Sequence, residues 1–282
     1  MTSLPDPTQQ RQQNRDFWEQ RGRSGQGHSV TMMAEHQRFL DYIHRSEVRF
    51  LEHRLASFRK PRILDLGCGS GRLALALAPQ SSEVIGIELA ESLVAQARAA
   101  VEAERLGNVR IEQGSVEACL NEGKFDVVIL SGVLNHVDDE TVTNALREAA
   151  GALVPKGMLY IRNNCSNSDI FFRPMGMNQP PCTFRRGEDY RTAVAATPGL
   201  EIIEERYLFA PLCIPNLVYY YLLPQALRDH ALVGRALDAW FRYEERTSER
   251  RLRRFGRLYP SLVRAIRKPT SFRVVVAVRN PP

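Results

Sequence analysis

Cysteine is scarce in this chain, and none of its five cysteines forms a CxxC pair. Their scattered positions indicate neither a structural zinc site nor a disulfide framework. We therefore expect no bound metal and a reducing, cytoplasmic setting. Cys68 lies inside a tight glycine-rich turn, where only a small side chain is accommodated, so we interpret it as a packing residue rather than a nucleophile.

Long apolar segments are also missing. No run of 18 or more apolar residues occurs, so we expect no transmembrane helix. Residues 1–15 are rich in Gln and Pro and lack an apolar core, which is unlike a secretory signal, and we expect a frayed end there. No internal repeat is visible. The 44% apolar and 25% charged content is typical of a soluble globular protein.

Positive charge is concentrated in one segment. Residues 228–268 contain twelve basic and five acidic residues, a net of +7, whereas the whole chain carries +6. Such a segment can bind nucleic acid, lie on an anionic membrane surface, guide an anionic substrate, or form a solvated helix face. No RNA-binding signature is present, which disfavours nucleic acid. Peripheral membrane contact and a homodimer stay open.

The most informative feature is a glycine-rich turn after an apolar strand. Residues 63–66 lead into Gly67, Gly69 and Gly71, and a helical pattern follows at once. Glycines let the backbone approach a ligand closely, and the helix N-terminus presents free N–H groups to it. Dinucleotide folds use GxGxxG spacing, whereas this turn is GxGxG. The carboxylate of Asp65 would repel a pyrophosphate and suits a cationic ligand. A tight turn without any ligand is the structural alternative.

The stretch from about residue 60 to residue 162 resembles the class I S-adenosylmethionine-dependent methyltransferases, in particular the small-molecule enzymes of the ubiquinone- and menaquinone-biosynthesis type. The turn matches their first motif, an acid and an apolar residue before GxGxG. The string FDVVILSGVLNHVDD at 125–139 and the stretch at 153–162 are similar to later segments of the same family. The resemblance implies S-adenosyl-L-methionine as cofactor and S-adenosyl-L-homocysteine as product. It assigns cofactor binding to Asp65, Gly67, Cys68 and Gly69.

Acids and hydroxyls at later strand ends extend this site. Glu88 ends a second strand, about 20 residues past the turn, where α/β nucleotide folds place a carboxylate on ribose hydroxyls. The resemblance adds Leu89 as a packing surface for adenine. Ser115 stands where the family often has an acid for the adenine amino group, and Val116 offers a backbone N–H. A solvated strand-end carboxylate is the alternative for Glu88.

Strands four and five supply further candidates. Ser131 ends a buried apolar strand and is expected to contact the cofactor. His136 follows it and is the first candidate for a general base, although packing is the alternative. Asp138 or Asp139 is expected to cap the next helix. Strand five is predicted at 158–162, and Asn163 and Asn164 after it are candidates for acceptor binding or loop hydrogen bonds.

Three segments lie outside the expected core. Residues 1–59 contain the tail and predicted lid helices, where His28 is a second base candidate and Trp18 and Tyr42 are acceptor-binding candidates. A long loop from residue 163 to residue 199 is expected to line the acceptor pocket. Residues 209–270 form a basic helical insertion before the last strand, a cap or interaction element. The core comprises residues 60–208 and 271–280.

These features predict an α/β fold, a Rossmann-like seven-stranded methyltransferase sheet with a helical lid. The predicted function is methyl transfer by SN2 displacement to a small-molecule or lipid/glycan-linked acceptor, with oxygen the favoured acceptor atom. Alternatives are N- or C-methylation of a natural product, a non-catalytic scaffold of the same fold, and, less favoured, an NAD-dependent oxidoreductase.

Overall fold

The computed structural model describes residues 6–23, 37–117, 123–166, 169–174, 180–207 and 270–281, together with short stretches between residues 223 and 243. The helices are α1 (Pro7–Arg23), α2 (Gln37–Leu55), α3 (Arg72–Leu77), α4 (Glu91–Ala103), α5 (Asp139–Ala152) and α6 (Gly187–Ala195). The strands are β1 (Arg62–Leu66), β2 (Glu83–Glu88), β3 (Val109–Gln113), β4 (Phe125–Ser131), β5 (Leu153–Ser166), β6 (Phe171–Arg173), β7 (Cys182–Phe184), β8 (Leu200–Tyr207) and β9 (Thr270–Arg279).

Seven strands form one sheet in the order β3-β2-β1-β4-β5-β9-β8. The first five are parallel, and β9 runs antiparallel to both β5 and β8. The first strand, β1, therefore lies at the centre of the sheet. Strands β2 and β3 follow on one side of it, and the chain then crosses to the other side to form β4. Such a reversal creates a crevice at the carboxyl ends of β1 and β4, where open α/β sheets bind ligands.

Apolar side chains fill both faces of this sheet. Helices α2, α3 and α4 cover one face, with Leu51, Leu77 and Ala97 among their buried residues. Helices α5 and α6 cover the other, through residues such as Leu146 and Val194. Burial on both faces explains the continuous apolar runs of β1 and β4, since neither strand has a solvated side. The predicted Rossmann-like α/β sheet is thus confirmed.

The amino-terminal segment differs from the prediction. Residues from Pro7 onward form a helix rather than a frayed end. Gln10 and Asn14 on this helix are 3% and 5% exposed, and both donate hydrogen bonds to distant parts of the chain. The Gln- and Pro-rich composition of residues 1–15 suggested a frayed end because the helix has no apolar stripe. Polar contacts with distant parts of the chain hold it instead.

Strand β5 and the loop after it are also more regular than expected. The strand extends from Leu153 to Ser166, because β9 pairs with it through nine consecutive residues from Met158 to Ser166. The expected acceptor-pocket loop contains a small antiparallel pair, β6 with β7. Helix α6 begins after Arg186 within the same expected loop.

Most of the basic insertion at 209–270 lies outside the described residues, so the predictions for it stay untested. Within the described part of the chain, no helix is long and apolar enough to cross a membrane.

Candidate cofactor site at the carboxyl edge of the sheet

The glycine turn follows β1 and has the backbone that only glycine adopts readily. Gly67, Gly69 and Gly71 have φ values of 74°, 58° and 85°. The N–H groups of Gly67 and Cys68 donate to the carbonyl of Ile87 in β2, at 2.8 and 3.0 Å. A Cβ on Gly67 would collide with Val133, whereas a Cβ on Gly69 would meet no atom within 4 Å. The turn is therefore packed on one side and open at Gly69.

Asp65, in β1, carries a buried carboxyl group. Its side chain is 2% exposed, and neither oxygen has a hydrogen-bond partner among the described residues. Burial raises the pKa of Asp65 to about 7, the Arg72 guanidinium opposes this rise, and the Glu47 and Glu88 carboxylates add to it. A buried polar group is normally hydrogen-bonded, so this carboxyl group fits a ligand that brings a cation or donor.

Glu88 connects the end of β2 to the glycine turn. Its two carboxylate oxygens accept from the N–H groups of Gly69 and Ala90, each at 3.0 Å. Burial raises the pKa of Glu88, and the hydrogen bonds from Ala90 and Gly69 oppose that rise. The next residue, Leu89, is 37% exposed although it is apolar. An ordered carboxylate beside an exposed apolar surface suits a ribose and a purine ring.

The end of β3 lies beside Glu88. The N–H of Gly114 donates to the Glu88 carbonyl at 2.9 Å, which brings Ser115 and Val116 to the same edge of the sheet. The Ser115 hydroxyl accepts from the N–H of Glu117 at 3.3 Å. The structure therefore brings together the predicted residues of β1, β2 and β3.

Ser131 also lies at this edge, but its hydroxyl belongs to a network that the sequence did not suggest. It donates to Glu47 in α2 at 2.5 Å and accepts from Arg162 at 3.0 Å. Glu47 further accepts from Arg72 at 2.7 Å and from the Tyr160 hydroxyl at 3.1 Å. The Ser131 hydroxyl is thus part of this network, and its contact with a cofactor stays a prediction.

Glu47 is 0% exposed and remains ionised in this network. Burial opposes its ionisation, but the Arg162 and Arg72 guanidiniums outweigh burial and hold the pKa of the carboxyl group well below its usual range. One signal for this residue was present in the sequence. Glu47 interrupts the apolar stripe of α2 formed by Ile43, Leu51 and Leu55, at spacings of four residues.

His136 lies on a short 3-10 turn, Leu134–His136, between β4 and α5. Its Nδ1 is 3.1 Å from the carbonyl oxygen of Pro181. A carbonyl oxygen only accepts, so Nδ1 carries the proton, and a neutral ring then has an unprotonated Nε2. Trp18 from α1 contacts the His136 ring edge to face, with centroids 5.2 Å apart. Two predicted residues that are distant in sequence are thus in contact.

The two asparagines of β5 project from opposite faces, because side chains alternate along a strand. Asn163 is 1% exposed, and neither atom of its amide group has a partner among the described residues. Its neighbours Ile161 and Cys165 belong to the core cluster under α5 and α6. The backbone of Asn164 exchanges hydrogen bonds with the Asn135 side chain, at 2.7 and 3.1 Å, so Asn164 supports the turn that carries His136.

The remaining predictions have different outcomes. His28 lies outside the described residues, and so does the side chain of Tyr42.

Cys68 is 8% exposed, and burial raises the pKa of its thiol well above the usual value, so the neutral thiol packs as expected. Asp138, not Asp139, caps α5, and its carboxylate accepts from the Thr141 N–H at 3.0 Å. No cluster of His, Cys, Asp and Glu among the described residues is suited to a metal ion.

Comparison with known proteins agrees with this geometry. Residues 63–157 match the family described as methyltransferase domain. Over 109 residues the chain is 30% identical to a ubiquinone biosynthesis O-methyltransferase of Acinetobacter baumannii (strain AYE), an alignment that covers 37% of this chain and 46% of that protein. A protein of the same name from Bradyrhizobium diazoefficiens is 27% identical over 149 residues, with coverage of 52% and 56%. The chain spans about half the length of these curated relatives.

Solved structures share the fold at low identity. A 1,6-didemethyltoxoflavin-N1-methyltransferase of Burkholderia thailandensis, crystallised with S-adenosylhomocysteine, has a TM-score of 0.63 at 15% identity, over 100% of this chain and 93% of that one. Residues 63–157 thus match a methyltransferase domain, and the sheet that they belong to has the fold of this solved structure. The [4+2]-cyclase SpnF also has this fold, with a TM-score of 0.55 at 17% identity over 83% of this chain and 81% of that one. The fold is therefore shared with proteins of different activities, and the reaction of this protein has to be argued from its site.

Proposed function

We propose that this protein binds S-adenosylmethionine at the carboxyl edge of β1, β2 and β3 and transfers its methyl group to a small-molecule or lipid/glycan-linked acceptor. The observation that carries the proposal is Asp65. A carboxyl group that is buried without a partner is costly unless a ligand completes it, and Asp65 lies two residues before Gly67, at the start of the turn. S-adenosylmethionine supplies a methyl group on a positively charged sulfur and also carries an ammonium group.

Each part of the cofactor has a candidate partner among the described residues. Asp65 would accept from the ammonium group, and Glu88 would accept from the ribose hydroxyls. The exposed side chain of Leu89 would cover one face of the adenine ring, and the N–H of Val116 with the Ser115 hydroxyl would serve its edge. The open backbone at Gly69, with no atom within 4 Å of a built Cβ, supports a close approach of the ligand there.

Helix α1 supports the proposed lid. At one end, the Ser92 hydroxyl of α4 donates to the Glu19 carbonyl at 2.9 Å. At the other, Arg11 pairs with Asp138 at 2.7 Å and Asn14 donates to the His136 carbonyl at 2.5 Å. These anchors follow β2 and β4, the two neighbours of β1 in the sheet, so α1 crosses the edge that carries the glycine turn. A helix in this place would exclude water from the transfer.

Oxygen is the proposed acceptor atom, and His136 the proposed base. Because Nδ1–H is directed at the Pro181 carbonyl, Nε2 of a neutral His136 is the proton acceptor. It would take the proton of an acceptor hydroxyl as the oxygen forms its bond to the methyl carbon and the carbon–sulfur bond breaks, with S-adenosylhomocysteine as the leaving group. Nitrogen and carbon acceptors, and His28 as base, remain alternatives. The remaining elements are also proposals: residues 1–59 as the lid, 209–270 as a cap or interaction element, a cytoplasmic setting, membrane contact and a homodimer.

Calorimetry with S-adenosylhomocysteine tests the cofactor assignment. Asp65→Ala is expected to abolish binding. Asp126→Ala is the matched control, because Asp126 lies in the adjacent strand β4 and accepts from the Arg62 N–H at 2.8 Å, close to the amino end of β1. Equal affinity in the wild type and in Asp65→Ala would show that the assignment of Asp65 is wrong.

A further inference from the structure

The 3-10 turn that carries His136 is held by side chains from other parts of the chain. The carbonyls of Leu134 and Val137 each accept from Arg185, both at 2.8 Å. The carbonyl of His136 accepts from Asn14 at 2.5 Å. A short 3-10 turn has weak internal hydrogen bonds, so these external donors determine where the turn lies.

Arg185 makes three contacts that a single point charge could not make. Its Nη1 and Nη2 donate to the two carbonyls on either side of His136, and its Nε donates to Asp139 at 2.7 Å. The residue is 5% exposed. A planar guanidinium keeps these donors in a fixed fork, whereas a lysine ammonium is a flexible point donor. Arg185 therefore sets the spacing between the two ends of the turn.

The same short segment also orients the ring of His136. Pro181, four residues before Arg185, provides the carbonyl that accepts from His136 Nδ1 at 3.1 Å. Between them, the Thr183 carbonyl accepts from the Asn135 side chain at 3.3 Å. The carbonyl of Arg185 accepts from the N–H of Ser166 at 2.9 Å, which attaches the segment to β5. Backbone position and ring orientation of His136 thus depend on residues 181–185.

We propose that Arg185 is a positioning residue that holds His136 in the tautomer with Nδ1 protonated and Nε2 unprotonated. The proposal rests on the proposed function, since it gives His136 the role of base. Loss of the fork would release the carbonyls of Leu134 and Val137, the ring would move away from Pro181, and both neutral tautomers would then be populated. The ion pair with Asp139 is the lesser contact, because the Asp139 side chain is 76% exposed.

Nitrogen NMR of the full-length protein tests this proposal without any acceptor. The chain has six histidines, and the His136 ring signals are assigned by their loss in His136→Gln. In the wild type, the neutral ring of His136 is expected to show the Nδ1–H tautomer alone. Arg185→Lys should shift the two ring nitrogens toward the averaged positions of a mixture. Arg185→Gln, which keeps one amide donor, is the second variant and replaces Arg185→Lys if the latter does not fold.

Arg186→Lys is the matched control. Arg186 neighbours Arg185 and is also ion-paired, but with Asp189 at 2.7 Å and away from the His136 turn. It should leave the His136 tautomer unchanged. A single Nδ1–H tautomer in Arg185→Lys, equal to the wild type, would overturn the proposal. Calorimetry with S-adenosylhomocysteine separates the two claims: absence of binding to the wild type refutes the proposed function, whereas intact binding in every variant with an unchanged tautomer refutes only the role of Arg185.

Discussion

Glu47 and Arg162 form an ion pair in the interior of the protein, with Glu47 Oε1 3.1 Å from Arg162 Nε. Their side chains are 0% and 10% exposed. Arg72, which directly follows the glycine turn, approaches the other carboxylate oxygen of Glu47 at 2.7 Å. Arg162 is paired in register with Ser131, the last residue of β4. Glu47 thus joins helix α2 to both sides of the crevice between β1 and β4.

Replacement of Glu47 by Gln should destabilise the protein strongly. One partner of a buried ion pair is removed and two guanidiniums lose their counter-charge, so we expect the free energy of unfolding to fall by about 3 kcal/mol. Urea unfolding measures this. Glu52→Gln on the exposed side of the same helix is the control and should change stability by about 0.5 kcal/mol or less. Similar stabilities of the two variants would contradict the role of Glu47.

The ion pair of Glu47 and Arg162 also predicts that the stability of the protein depends on pH. The pKa of Glu47 is lowered in the folded protein, mainly by Arg162 and Arg72 acting against burial. Its stabilisation is therefore present above the ordinary carboxyl pKa of about 4.3 and is lost as the pH falls below that value. On acidification from pH 5 to pH 3, the wild type should lose more stability than Glu47→Gln. Parallel curves from urea titrations at each pH would exclude this contribution.

Asp65 predicts a change of stability with pH that has the opposite sign. Burial raises its pKa to about 7, so the folded protein holds this proton where the unfolded chain has released it. As the pH rises from the ordinary pKa of Asp65 to about 7, its contribution to stability should therefore fall by up to about 1.4 kcal/mol per pH unit. Above about pH 7 the contribution should stay constant. Asp65→Asn should lack this decline. The curves are compared by urea unfolding without ligand, and an identical pH profile in both proteins would refute the prediction.

Ligand binding should respond to the same proton. A cationic group favours the ionised form of Asp65, so the affinity for S-adenosylhomocysteine should weaken by up to about tenfold per unit below pH 7. His44, whose Nδ1 lies 2.7 Å from Arg72, and Glu47 and Glu88 also face this region. Calorimetry in buffers of different ionisation enthalpy counts the proton released. His44→Gln is the control, and loss of the pH dependence in that variant would assign the proton to His44 instead.

Two adjacent aspartates at the start of α5 should differ in their contribution to stability. Asp138 caps the helix, accepting from both the N–H and the hydroxyl of Thr141 at 3.0 Å, and it also pairs with Arg11. Asp138→Ala should cost about 1–2 kcal/mol. Asp139 is exposed, so Asp139→Ala should cost about 1 kcal/mol or less. Thermal or urea unfolding of the two variants measures both losses of stability. A larger loss in Asp139→Ala than in Asp138→Ala would be inconsistent with Asp138 as the cap.

The glycine turn allows a similar comparison. Gly67→Ala combines a positive φ with a clash, since its Cβ would lie 2.7 Å from Val133. Gly69→Ala has a positive φ but no clash, so it should cost only about 1 kcal/mol of stability. Gly67→Ala should cost clearly more. Gly69→Ala should nevertheless weaken S-adenosylhomocysteine binding, because the open side of the turn is the ligand side. Full affinity in a folded Gly69→Ala protein would contradict this placement.

Local patterns predicted the parallel core well. Apolar runs located β1, β2 and β4, the glycines located the turn, and the spacing of Glu88 from Gly67 located the second acid. These features are encoded within a few residues of chain, where periodicity and backbone preference operate. The cap at Asp138 was one of two adjacent aspartates that the sequence left open, and the hydrogen bond to Thr141 distinguishes them.

Tertiary pairing accounts for what the sequence did not reveal. Glu47 meets Arg162 across 115 residues of chain, and no local pattern specifies that meeting. The role of Arg185 could not be predicted either, since it depends on the carbonyls of Leu134 and Val137, about 50 residues earlier in the chain. The length of β5 was underestimated because its final residues are paired by β9, more than one hundred positions later. The helix at the N-terminus was missed for the same reason.

Binding of S-adenosylhomocysteine to the wild-type protein tests the central claim most directly. Equilibrium calorimetry, with NADH as the competing ligand class, should give one S-adenosylhomocysteine per chain and no heat from NADH. Saturable binding of NADH together with no binding of S-adenosylhomocysteine would contradict the account.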